Sequence, residues 1–163
     1  MARRLCEAGA GFVTVHSAGW DMHADGNNPG MQQGMAMLGT TMDHAVSAFL
    51  DDVAARGLSE KILLVITGDF GRTPRVNKKG GRDHWAKLGT LAFAGGGLNM
   101  GQVIGQSDRQ AAQPMTSPYT TSHLMGTIMQ TLFDVGKMRL VSGIPPQIHR
   151  LVEESVSIPE LMP

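Results

Sequence analysis

The sequence predicts an α/β domain, a mostly parallel sheet flanked by helices, and three observations carry that expectation. "FVTVHS", residues 12–17, is rich in β-branched residues and reads as a strand. From Met31 to Arg56, apolar residues recur every three or four positions: Met31, Met35, Leu38, Met42, Ala45, Phe49 and Val53. That spacing makes one helical stripe. "KILLVITGD", 61–69, holds a continuous apolar run that suits a strand covered on both faces. Strand, helix and strand in that order form a βαβ unit, which crosses over right-handed. Parallel strands end at the same edge, so the loop after residue 17 and the loop from Gly68-Asp69 are expected to open on one side. In open α/β sheets that edge is where ligands bind.

The remaining elements follow in chain order. Residues 2–9 read as a helix end, closed by Gly9 or Gly11. After strand 12–17 comes "AGWDMHADGNNPG", dense in Gly, Asn and Pro and therefore a loop. The helix from Met31 stops at Gly57. Residues 70–87, "FGRTPRVNKKGGRDHWAK", are polar and without clear periodicity; a loop that long in a compact domain is usually functional or mobile. "LGTLAFAGGG", 88–97, reads as a buried strand ending in a glycine turn, and "GQVIG", 101–105, as a short strand. A loop with Pro114 and Pro118 leads to a helix over 120–136, N-capped within Thr120–Ser122 and stopped at Gly136. The tail, with its prolines and "SIPELMP", is expected to be extended and to lie on the surface.

Composition narrows the function classes. The 163 residues suffice for a single domain over 1–163, and 42% apolar with 17% charged content is that of a globular chain. Formal net charge is zero, so no basic field points to nucleic acid. The longest apolar run, "ILLVI", is far too short to span a bilayer. "MARRLC" is not followed by the apolar stretch of a signal peptide. One cysteine, Cys6, excludes an internal disulfide. "AGGG", 94–97, lacks both GxGxxG spacing and the Lys-Ser/Thr of a phosphate loop, and reads as a tight turn. There is no GxSxG nucleophile elbow.

Four groups are placed at the shared sheet edge: Asp21 and His23 in "GWDMH", Asp69 after the second strand, and His84 in the long loop. Oxygen and imidazole nitrogen together suit a divalent metal, zinc or manganese first. Asp83 beside His84, and Trp20 beside Asp21, are candidates for orienting the ligands from behind. Arg72 and Arg82 flank the same loop and are candidates for binding an anionic ester bidentately. Each residue alone has a plainer reading. Asp69 alone is a turn residue, Asp83-His84 a loop pair bonded to backbone, and Asp21 an upstream cap. Convergence of separate loops favours the metal. His44 and His123 lie within helices and read as structural, while His16 stays open.

"GWDMH", "GDFGRTPRVN", "GRDHW", "FAGGGLNMGQVIG" and "SHLMGTIMQTLF" together resemble the C-terminal half of the bacterial family catalogued as domain of unknown function 1501, over roughly residues 2–136. That family is placed with alkaline-phosphatase-like enzymes, among them sulfatases, phosphopentomutases and cofactor-independent phosphoglycerate mutases. The resemblance implies a metal-dependent hydrolase scaffold, with Asp and His ligands drawn from three loops. It puts Asp21 and His23 where one ligand pair lies, Asp69 where an Asp-His pair lies, and His84 where a late lone histidine lies. The residue after Asp69 is Phe70, so the second half of that pair is missing. Members carry the nucleophile in the N-terminal half and commonly begin with a twin-arginine export signal. Neither is found here, and the chain is expected to be a C-terminal fragment of a larger catalytic domain. The resemblance suggests export for full-length relatives; otherwise a cytoplasmic location is expected.

The leading expectation is therefore part of a metal-dependent hydrolase acting on phosphate or sulfate esters. Its catalytic residues are unassigned, and a missing N-terminal half or partner chain completes it. The rival expectation is a non-catalytic, metal-stabilised binding or assembly module, and a third is a structural remnant without metal.

Overall fold

A computed structural model describes all residues, 1–163. Helix α1, Ala2–Glu7, opens the chain. The long helix foreseen from the Met31 stripe forms in three continuous pieces: α2, Met31–Gly34; a π-helical turn, Met35–Gly39; and α3, Thr40–Ala55. Strands β1, Leu63–Ile66, β2, Gly71–Arg72, β3, His84–Trp85, and β4, Ala92–Gly95, follow. Helices α4, Thr121–Leu132, α5, Val135–Met138, and α6, Pro146–Glu154, lead to a 3-10 turn at Pro159–Leu161. None is long and apolar enough to cross a membrane.

The α/β content matches the sequence, but the sheets that form are antiparallel. β1 pairs with β4, from Leu63 opposite Gly95 to Ile66 opposite Ala92. β2 pairs with β3, Arg72 opposite His84. Neither 12–17 nor 101–105 is a strand. Strand propensity reports packing on a half-buried surface, and here Phe12 is 67% exposed, Val15 77% and Val103 96%. With nothing covering them, those stretches stay unpaired. The expected parallel βαβ unit is thus replaced by one antiparallel pair. Its connection, residues 67–91, carries the small β2–β3 ribbon.

The tail also departs from expectation. It supplies core rather than lying on the surface: Ile158 and Leu161 are buried and cluster with Leu98, against Leu63 and Phe93 of the β1–β4 pair. Gly126 in α4 permits this, because a Cβ there would lie 2.6 Å from the Val156 carbonyl carbon. The fully buried Thr127 closes the join. Its hydroxyl donates to the His123 carbonyl at 2.8 Å and accepts from the Ile158 N–H at 2.9 Å.

Only 13 of the 163 residues are buried, and the accessible surface is 11468 Å². A compact monomer of 17.4 kDa exposes about 7,900 Å² by the scaling of surface with mass. The molecule is therefore open, with much apolar surface uncovered.

Candidate metal centre

Two pieces of chain build the site. The first is the loop 20–25, held from below by α2. Gly34 packs directly on Met22, where a Cβ would meet the sulfur at 2.6 Å, and Met22 is itself buried. The second is the β2–β3 ribbon. Cross-strand partners have their Cβ atoms about 4.5–5.5 Å apart on one face, so the Arg72–His84 pairing delivers a guanidinium and an imidazole together. Backbone bonds join the two pieces: the Arg82 N–H donates to the Met22 carbonyl at 3.0 Å, and the Met31 N–H to the Gly80 carbonyl at 2.9 Å. Gly81 lies so close to the His23 backbone that any Cβ would overlap it.

Three of the four expected ligands meet. Asp21, His23 and His84 each offer an atom within 4.8 Å of the others. His23 Nε2 lies 2.8 Å from Asp21 Oδ1, His84 Nε2 lies 2.9 Å from the same oxygen, and the two Nε2 atoms are 3.2 Å apart. Donors on a tetrahedral zinc, with bonds of about 2.0–2.1 Å, stand about 3.3–3.4 Å apart. The triangle is thus slightly tighter than a loaded site, and its atoms are of the right kind. Arg72 donates to Asp21 Oδ1 and holds the carboxyl down to about 2, with the His84 bond adding to the effect. Asp21 is therefore an ionised donor at any ordinary pH, although Arg72 competes with an ion for its oxygen.

Asp69 stands outside the triangle. Beyond β1 the chain turns so that Phe70, its neighbour, faces the site: the Phe70 and His84 rings lie 4.3 Å apart. Asp69 is exposed. Trp20 acts through its main chain, its carbonyl accepting from Arg72 Nη2 at 3.3 Å while its indole donates to Ser17 Oγ at 3.0 Å. Asp83 makes no side-chain hydrogen bond to His84; its Oδ1 accepts from Asn77 Nδ2 at 3.0 Å. Arg72 is committed to Asp21, to the Trp20 carbonyl and, at 3.2 Å, to the Arg82 carbonyl. Arg82 keeps its Nε buried without a partner.

Sequence reasoning missed Asp25. Its Oδ2 lies 3.0 Å from His23 Nδ1, while its Oδ1 accepts from the Asn27 and Asn28 N–H groups at 2.9 Å each. The Asn27 bond, with Asn28 and His23, pulls its carboxyl below the usual range. A carboxylate on Nδ1 fixes the tautomer that leaves Nε2 bare, which is how metal-bound histidines are commonly held. The signal was an Asp followed by "GNN", an Asx turn two residues past His23.

A family model described as "Protein of unknown function (DUF1501)" matches residues 1–161. The chain belongs to the DUF1501 family. Neither the curated proteins nor the solved structures contain a match. In this DUF1501 member the match takes in both pieces of the site and the tail core, and extends through residues 137–161, past the motifs that carry the resemblance.

Proposed function

We propose that this DUF1501 chain binds one divalent ion, zinc or manganese, through Asp21, His23 and His84, as the metal-holding part of an alkaline-phosphatase-like hydrolase for phosphate or sulfate esters. One observation carries the reading: two Nε2 atoms and one carboxylate oxygen, supplied by two chain segments, meet at 2.8–3.2 Å. Two further features support it. Asp25 orients His23 from behind. Three donors would also leave a fourth position free on a bound zinc, the pattern of catalytic rather than structural zinc sites. A bound ion supplies Lewis acidity toward a phosphoryl or sulfuryl oxygen. The chain's own residues hold and orient: Asp25 sets the imidazole, Arg72 keeps Asp21 ionised, and Phe70 packs against His84 and limits its swing.

Metal titration with melting curves tests the reading. Zinc or manganese at a hundredfold excess over its dissociation constant should raise stability by about 2.7 kcal/mol. His84→Ala leaves no core cavity, since the side chain is 51% exposed, and should abolish most of that gain. Asp21→Asn should do the same, and His44→Ala should not. A wild-type melt that ignores both metals defeats the proposal. Hydrolysis of p-nitrophenyl phosphate and p-nitrophenyl sulfate then separates ester chemistry from the second reading, a metal-stabilised binding or assembly module. That reading draws on Phe70, which follows Asp69 where the resemblance implies a ligand histidine.

A further inference from the structure

A cleft of about 680 Å³ opens beside the triangle, and its lining includes His23, His84, Asp25, Asp83, Lys78 and Lys79. We propose that Lys78 and Lys79 form an oxyanion arm, which holds the phosphate or sulfate group of a ligand against the ion. The inference rests on the metal reading above and gives the anion role to residues other than Arg72 and Arg82.

The arm is anchored to the ligand loop. Asn77 Nδ2 donates to the His23 carbonyl at 2.9 Å, and Asn77 Oδ1 accepts from the Lys79 and Gly81 N–H groups at 3.0 Å each. One side chain thus ties the lysine turn to the backbone of a metal-ligand candidate. Gly80, at φ +87°, closes the turn with its N–H on the Asn77 carbonyl at 3.0 Å. Both lysines are exposed, and the only lysine in an ion pair is Lys137. Arg72 has less freedom, since three of its five N–H donors already bond Asp21 and the Trp20 and Arg82 carbonyls.

Charge decides when the arm works. With neutral histidines, the two lysines offset Asp25 and Asp83 in the cleft, and Arg72 offsets Asp21. The metal-free cleft is near neutral. A divalent ion leaves it positive, so oxyanion binding should require the metal. By linkage the oxyanion must then tighten the metal by the same factor.

Calorimetric titration of the zinc-loaded and metal-free chain with inorganic phosphate and inorganic sulfate tests this, with zinc titrated in parallel. Wild type should bind the oxyanion only when loaded. The double variant Lys78→Ala, Lys79→Ala should lose about 10- to 100-fold in oxyanion affinity, as expected for lost charge-assisted bonds. Its zinc affinity without oxyanion should stay that of wild type, and Lys78→Arg with Lys79→Arg should restore binding. Arg75→Ala, on the same loop but outside the cleft lining, should behave as wild type. Zinc binding without oxyanion binding in wild type overturns the arm and leaves the metal reading standing. So does undiminished oxyanion binding in the double alanine variant. Loss of zinc binding in that variant also overturns it, because the lysines would then hold the fold. If wild type takes neither zinc nor manganese, arm and metal reading fall together.

Discussion

Asp25 shows how little need separate a ligand from a bystander. It touches no atom of the triangle, yet its two oxygens do different work. Oδ1 holds the turn through Asn27 and Asn28, and Oδ2 faces His23 Nδ1. Asp25→Asn can keep the first role with its amide oxygen. It presents an NH₂ where the second role needs an acceptor, and so favours the tautomer that protonates Nε2. We expect metal affinity to fall about 10- to 100-fold, the usual cost of losing such a partner. The metal-free melting temperature should hardly move. Calorimetry beside melting curves would show this, and an unchanged metal affinity would leave Asp25 as a turn residue only.

At the scale of elements, the buried joint between α4 and the tail should matter more than anything at the metal site. Thr127→Val keeps shape but leaves the buried Ile158 N–H without an acceptor. An unsatisfied buried donor costs about 1–3 kcal/mol, and urea melts should show that loss while metal affinity stays put. A second tie joins the approach to α4 with the 3-10 turn: Tyr119 Oη donates to Glu160 Oε2 at 2.6 Å. That bond lowers the Glu160 carboxyl below its ordinary range and raises the Tyr119 phenol. For Glu160 the stabilisation is present above its unfolded value, near 4.5, and is lost as pH falls through the lower folded value. For Tyr119 it is present below about 10 and lost as pH rises through the higher folded value. The melting-temperature gap between wild type and Glu160→Gln should therefore be full near pH 7 and should close in acid and again in strong base. A gap independent of pH would remove the bond from the account.

The same scale shows what was legible. The Met31 stripe read correctly because its period is long enough to outvote local noise. The π-turn inside it left no mark, since one extra residue barely shifts the pattern. "FVTVHS" misled because β-branched residues ask for a covering surface and cannot report whether one exists. Helix α6 starts at Pro146 and has Ile148, Leu151 and Val152 at helical spacing, but nine residues are too few for the period to stand out. Ile158 and Leu161 lie three apart around Pro159, as a 3-10 turn requires, yet polar neighbours hid them. Of the site, residue type and resemblance brought forward Asp21, His23 and His84. The displacement of Asp69 by Phe70 depends on a turn of chain that no spacing records.

For the whole molecule, about 3,600 Å² of surface beyond that of a compact monomer means much less area is lost to water on folding. The urea m-value should fall below that of compact chains of this length, because m follows the area exposed on unfolding. The native chain should also bind the dye ANS at neutral pH. A full-sized m-value and no dye binding would show that the chain closes further in solution. The connection between β1 and β4 has one more consequence, for cooperativity. Residues 67–91 leave the strand pair at its Ile66–Ala92 end and carry the β2–β3 ribbon to the loop 20–25, while Leu98, past the Gly95 end, packs with Ile158 and Leu161 against Leu63 and Phe93. No large shared core binds these two regions, so heating should melt them as separate units rather than in one step. Scanning calorimetry should resolve two transitions. Zinc should move only the one that hydrogen exchange assigns to residues 20–25 and 70–87, so the ion would act as a latch on half the molecule and leave the tail core to melt where it did before.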